Sequence, residues 1–299
     1  MFKFNAEQKV YQIGNVTIGG QPGQYPTVLM ASIFYQGDKL VIDEESGTFD
    51  QEGALEWINK IDTMCKSVKL PLMIDIVGSS ENAMRAYVEF IGRKTDLPFI
   101  IDGTIAKVRI AGVEMAAKLG LHDRAVFDSV NVESREDELK EVKKHGLKAT
   151  IVMLNNSKKP TAQGRVDIAE ELIEKAKTYG FEKLMLDMAV MDSVEPGPAA
   201  KAIYMLKDKY GYPAGCSPTH TLITGWKKAS LYNKVEVAST KTSIATSLQL
   251  LGADFVMYGI KQTEIVPSMA AVDALVAYSC MQHGVRPASH DHPLYHIFK

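Results

Sequence analysis

A chain of 299 residues with 46% hydrophobic and 23% charged residues and a formal net charge of −2 reads as a globular protein able to bury a large core. That balance supplies no basic face for nucleic acid or an acidic membrane, and no uncharged apolar run reaches the roughly 18 residues that cross a bilayer. Lys3, Glu7 and Lys9 interrupt the N-terminus, so no signal-peptide core is expected, and Cys65, Cys216 and Cys280 form no CxxC or Cys/His cluster. This cysteine usage argues against a disulfide framework or structural zinc and fits a cytoplasmic location.

In chain order, Val10–Ile13, Gly14-Asn15 and Val16–Ile18 read as a β-hairpin, because Gly-Asn tolerates the positive φ of a two-residue turn. Residues 1–26 are therefore expected to form an N-terminal cap, with Gly19-Gly20-Gln21-Pro22-Gly23 as a turn. A repeating unit follows, in which a short β-branched apolar run ends on a polar residue and an amphipathic helical stretch comes next. The strand candidates are Thr27–Ser32, Leu72–Asp75, Phe99–Asp102, Ala125–Asp128, Ala149–Asn155, Leu184–Asp187, Ala214–Ser217 and Phe255–Tyr258. In Ile168–Tyr179, apolar Ile168, Leu172, Ile173 and Ala176 recur at helical spacing opposite Glu170, Glu171, Glu174 and Lys175. Gly120, Gly146, Gly180 and Gly211 stand where helices must end before the next strand.

Asp75, Asp102, Asp128, Asn155, Asp187 and Ser217 follow one another at roughly 30-residue intervals, close to the spacing of a (β/α)₈ or TIM barrel of about 250 residues. An open doubly wound sheet uses the same repeats, but eight units favour closure, and no GxGxxG follows the first strand. Residues 1–299 are accordingly expected to form a single TIM-barrel domain, with 287–299 as a C-terminal tail.

Parallel barrel strands point their C-terminal ends the same way, so Asp75, Asp102, Asp128 and Asp187 should meet at one mouth. The plainer reading of any one Asp is a cap for the following helix. Four together would repel and raise one another's pKa unless a cation or a donor-rich ligand meets them. Mg²⁺ is one candidate. The other is a pterin, whose 2-amino group and adjacent ring N–H suit one carboxylate in bidentate fashion, with Asn155 or Asn156 serving its O4 or N8 edge. Cys216 reads as a small buried residue, His290, His292 and His296 as a surface tail rather than a metal cluster, and Phe34, Tyr35 and Trp226 as packing aromatics able to border a ligand. Lys107 and Arg109 read as helix charges that can also meet an anionic tail.

Met73–Gly78, Leu97–Thr104, Ala125–Asn131 and Leu184–Asp187 resemble motifs of pterin-binding barrel methyltransferases. The whole chain is similar to the family of the H subunit of tetrahydromethanopterin S-methyltransferase and its soluble bacterial relatives, the methylcorrinoid:tetrahydrofolate methyltransferases. The likeness is carried by Met1-Phe2-Lys3-Phe4, Glu7-Gln8-Lys9-Val10, Ile18–Gly23, Tyr25–Leu29 and Ile33-Phe34-Tyr35. It implies methyl transfer between cobalamin on a partner corrinoid protein and N5 of tetrahydrofolate or a related tetrahydropterin, with no bound metal in this chain, and it implies a homodimer. The resemblance assigns Asp102 and Asp187 to the pterin ring; Asp75, Asp128, Asn155 and Ser217, from their places at the strand ends, are expected around it. The family has Asn where Asp128 and Val77 stand, so Asn131 is a candidate for the missing amide. Past the seventh strand, where the family places an Asn near N5, the chain reads Gly215-Cys216-Ser217-Pro218-Thr219-His220, leaving Ser217, Thr219 and His220 as candidates for that contact and His220 as a candidate catalytic group. Another pterin-dependent barrel enzyme, or a non-catalytic pterin- or corrinoid-protein-binding subunit, are the alternative functions.

Overall fold

The computed structural model describes residues 2–219 and 233–297, and within them alternate side chains of each strand face either the centre of a closed barrel or a surrounding layer of helices. Val10–Ile13 (β1) and Val16–Gly19 (β2) form the expected antiparallel hairpin, in which Gly14 alone of the turn pair takes positive φ, at 54°. Val28–Ile33 (β3) opens the barrel; Val41–Asp43 (β4) and Thr48–Phe49 (β5) form a small hairpin, unanticipated from sequence, ahead of helix Gln51–Val68 (α1). The alternation then runs Leu72–Gly78 (β6), Glu81–Lys94 (α2), Phe99–Gly103 (β7), Ala106–Lys118 (α3), Ala125–Val130 (β8), Glu136–Lys144 (α4), Ala149–Met153 (β9), Ala162–Thr178 (α5), Lys183–Asp187 (β10), Pro196–Tyr210 (α6) and Ala214–Cys216 (β11). Lys234–Leu250 (α7), Phe255–Gly259 (β12) and Ile265–Met281 (α8) complete it. Every barrel pairing is parallel, and the order β3-β6-β7-β8-β9-β10-β11-β12 returns to β3, as a (β/α)₈ barrel requires.

The barrel wall separates two apolar clusters. Outward residues such as Leu29, Ile74, Phe99, Phe127 and Leu186 pack with the helices, whereas Val28, Met30, Met73, Ile100, Val126, Ile151, Met185 and Phe255 fill the interior. Ile13, Val16 and Ile18 of the β1-β2 hairpin belong to the interior cluster. The hairpin therefore plugs the N-terminal end of the barrel, and each such apolar side chain removed from water contributes about 1.5–3 kcal/mol. Gly120, Gly146, Gly180 and Gly211 take φ of 70°, 74°, 91° and 69° at the helix ends, where a side chain would be strained.

At the same end, Lys207 of α6 is fully buried and donates to both oxygens of the Asp254 carboxylate, at 2.5 and 2.6 Å, and to the Gly20 carbonyl at 3.1 Å. Asp254 also accepts from the Ala214 amide at 2.8 Å. This one pair ties the turn after the hairpin to α6, β11 and the start of β12. The C-terminal segment lies alongside: Ala288 donates its amide to the Gln24 carbonyl at 2.8 Å, and Lys69 pairs with Asp291 at 2.8 Å. His290 and His296 are exposed or nearly so, but His292 is buried, its Nδ1 accepting from the Leu294 amide at 3.1 Å as the cap of the turn Pro293–Tyr295. It is a packed structural residue rather than part of a surface tail.

Because removing one partner of a buried ion pair leaves the other charge uncompensated, Lys207→Met should destabilise the fold by about 3–5 kcal/mol. Urea denaturation of the two proteins measures this; an unchanged midpoint would show that the pair does not hold the hairpin end together.

Candidate active site

The period of two along each strand that sends Met30, Met73, Ile100, Val126, Ile151 and Met185 into the lower barrel sends Ser32, Asp75, Asp102, Asp128, Met153 and Asp187 inward one step higher. Neighbouring strands set these residues side by side in the ladder: Ser32 pairs with Asp75, Asp102 with Asp128, and Met153 with Asp187. With Ser217, Thr219, Met257, Gly259, Tyr35 and Gln262 they line a cavity of about 470 Å³ at the C-terminal mouth. The size suits a bicyclic ligand.

None of the four aspartates caps a helix. The cap positions of α2, α3, α4 and α6 are Ser80, Ile105, Arg135 and Glu195. Asp75 accepts from the Ser32 hydroxyl at 2.6 Å through one oxygen, while its Oδ1 and Oδ1 of Asp128 are buried without a hydrogen-bond partner among the described residues. Asp187 accepts from the Ala189 amide at 3.0 Å. Burial pushes all four carboxyls upward, and their mutual charges push Asp75, Asp128 and Asp187 further. Asp102 is also raised by burial, but the Arg109 guanidinium opposes the shift. Asp187 reaches about 7, with the Ala189 amide and Arg165 holding it down. Near neutral pH the mouth is thus a set of acids that retain protons or exchange them readily, rather than four fixed anions.

Two cations, Arg165 buried and Arg109 partly so, hold the loops around this mouth. Arg165 of α5 donates to the carbonyls of Met188 and Ala189, the latter at 2.9 Å, and pairs with Glu195 at 3.2 Å. Glu195 in turn accepts from the Met191 amide at 2.7 Å, fixing the loop whose Ala189, Val190 and Met191 wall the cavity. Arg109 is engaged by Glu138 at 2.6 Å and by the Gly103 carbonyl at 2.8 Å. It lines a second cavity of about 560 Å³ together with Lys107 and Asn131, separated from the first by Asp102, Asp128 and Met153.

The structure therefore brings Asp75, Asp102, Asp128, Asp187 and Ser217 together, and places Asn131 in the adjoining cavity, its side-chain amide donating to the Ser129 hydroxyl at 3.0 Å. Asn155 does not join them: it lies two residues past the end of β9 and is not among the residues that line the cavity. Met153 forms the wall in its place. His220 and Trp226 lie outside the described residues. Cys216 is fully buried, and burial raises its thiol well above the ordinary range, which suits packing rather than nucleophilic attack. Sequence reasoning passed over Ser32, although it ends its strand in the same phase as Asp75. It also missed Gln262, which sits three residues past β12 with no periodic signal to mark it.

Since these carboxyls bind protons more tightly in the native state than in the unfolded chain, stability falls as pH rises from the unfolded value of 3.8 toward the native one, about 7 for Asp187. Asp187→Asn removes that penalty while keeping an acceptor for the Ala189 amide. Its Tm should match the wild type near pH 4 and exceed it by an amount that grows through pH 7, worth a few kcal/mol. Thermal melts across that range test this; a constant difference would mean that Asp187 titrates alike in both states.

A family profile described as the tetrahydromethanopterin S-methyltransferase MtrH subunit matches residues 6–288. The H subunit of tetrahydromethanopterin S-methyltransferase from Methanothermobacter marburgensis is 36% identical, with 99% of this chain and 100% of the relative aligned. The same subunit of Methanopyrus kandleri is 33% identical, with 96% of each chain aligned. Among solved structures, dihydropteroate synthase of Yersinia pestis superposes with a TM-score of 0.64 at 15% identity, covering 89% of this chain and 98% of its own. The Vibrio fischeri 7,8-dihydropteroate synthase gives 0.65 at 15% identity over 90% and 98%. At that identity the likeness establishes the barrel alone. Matched nearly end to end by both the profile and these relatives, the chain belongs to the MtrH family of tetrahydromethanopterin S-methyltransferase subunits.

Proposed function

We propose that this protein is a methyltransferase that moves a methyl group between a corrinoid carried on a partner protein and N5 of a tetrahydropterin, either tetrahydromethanopterin or tetrahydrofolate. The observation that carries this reading is the convergence of four carboxyls on one cavity, with Oδ1 of Asp75 and of Asp128 buried and unpartnered. Buried acceptors of this kind cost about 1–3 kcal/mol each until a ligand supplies donors. The 2-amino and ring N–H groups of a pterin are such donors.

In this reading Asp102 and Asp187 hold the donor edge of the ring, Asp75 and Asp128 contact its remaining polar atoms, and the apolar wall of Met153, Val190 and Met257 packs on its face. Fixing the ring in this way converts an encounter in solution into an oriented one, with N5 turned toward the open mouth. The partner's corrinoid supplies the cobalt that carries or receives the methyl group. Departure of a methyl group from N5 requires a proton there, because an amide anion is a poor leaving group; the reverse transfer requires its removal. Ser217 and Thr219, on the segment after β11, stand on the same cavity wall as candidates to orient N5.

The test mixes purified protein with methylcobalamin and, separately, tetrahydrofolate or tetrahydromethanopterin, and follows the cobalamin spectrum. Demethylation with one of the two is expected, and its absence with both would sink the assignment. Asp187→Ala should weaken tetrahydropterin binding by roughly 100-fold, as loss of charge-assisted hydrogen bonds predicts. Unchanged affinity in a calorimetric titration would remove Asp187 from the ring.

A further inference from the structure

The cavity holds a third buried polar atom without a partner among the described residues, Oε1 of Gln262, on the segment after β12, the strand that stands across the barrel from Asp128 on β8. A carboxyl can change from acceptor to donor by taking up a proton, and the aspartates here have raised pKa values. An amide oxygen can only accept, and it is this oxygen that Gln262 presents without a partner among the described residues. Gln262 is also held in place. The Ile260 amide donates to the Ser32 carbonyl at 3.0 Å, the Gln262 amide donates to the Gly259 carbonyl at 2.9 Å, and the intervening Lys261 pairs with buried Asp38. The loop after β12 is thereby stitched to β3 and to the segment after it. Gly259 lets the side chain lie close against the strand end, since a Cβ there would sit 3.1 Å from Nε2 of Gln262.

From this we infer that Gln262 reads the oxidation state of the ring: its Oε1 accepts a ring N–H that a tetrahydropterin carries and a fully oxidised pterin lacks. The inference rests on the pterin reading above. N8 of a tetrahydropterin bears a hydrogen whether or not N5 is methylated, so both substrate and product satisfy Gln262. In the aromatic pterin N8 is itself an acceptor, and two acceptors would face each other. A site built around a hydrogen bond rejects a ligand that cannot make it far better than an apolar pocket rejects a shape variant. Gln262 is thus a specificity residue, which touches the ring without moving the methyl group.

The probes are 6-methyltetrahydropterin and 6-methylpterin, titrated calorimetrically under anaerobic conditions into wild type, Gln262→Met and Gln262→Glu. Wild type should favour the reduced ring by at least roughly 10-fold. Gln262→Met, similar in size, should weaken the reduced ring about 10-fold and leave the oxidised one unchanged or tighter, erasing the preference. Gln262→Glu, whose carboxyl can take up a proton among the neighbouring aspartates and then donate to N8 of the oxidised ring, should narrow the preference. If wild type binds neither probe, the pterin reading itself fails. If wild type binds both probes equally, if Gln262→Met retains the discrimination, or if it loses both probes in parallel, the inference about Gln262 is overturned while the pterin reading stands.

Discussion

Closing a parallel sheet into a barrel sends every second side chain of every strand into one enclosed space, and only groups that fill it or satisfy one another can be tolerated there. In this protein the lower layers meet that demand with Val, Met, Ile and Phe, and the β1-β2 hairpin seals the end with Ile13, Val16 and Ile18. The top layer continues the same phase but carries Ser32, Asp75, Asp102, Asp128 and Asp187. The strand geometry that makes the core is therefore also what sets four acids around one mouth. No further backbone device is required to gather them.

That gathering opposes stability. Burial and like charge raise the carboxyls together, and two of their oxygens have no partner among the described residues. A barrel optimised for stability would carry apolar residues at these positions, so the acids are most economically explained by a ligand that meets them. The same contrast separates the two ends. At the hairpin end the buried ions Lys207 and Asp254 satisfy each other and nearby backbone; at the mouth the buried acids face a cavity.

Loops at the mouth are irregular in sequence yet tied down by buried polar contacts. Arg165 and Glu195 fix the segment after β10, Arg109 and Glu138 brace the one after β7, and Lys261 and Asp38 join the segments after β12 and β3. Each clamp spends its charge on neighbouring loop groups, leaving the cavity to the aspartates, hydroxyls and Gln262. Preorganised walls of this kind suit a protein whose part is to orient a bound ligand, which is what the proposed function asks of it.

The amino-acid sequence by itself determined the repeating unit, the eight strand positions, the hairpin and its glycine, and the glycine stops after the helices, because these depend on local periodicity and backbone freedom. It also placed the acids at strand ends, since position along a strand is a sequence property. Tertiary structure decided what those acids do. Each alone reads as a helix cap, and only barrel closure shows that other residues hold the caps and that the carboxyls face inward. Met153, rather than Asn155, stands on the wall, because β9 ends two residues earlier than its sequence suggests. Arg109 proved to be a brace and His292 a buried cap because their partners lie on other elements, as do the neighbours that set Gln262 on the cavity wall. Contacts between residues far apart in the chain leave no periodic trace, which is why the fold was legible from sequence and the Gln262 side of the site was not.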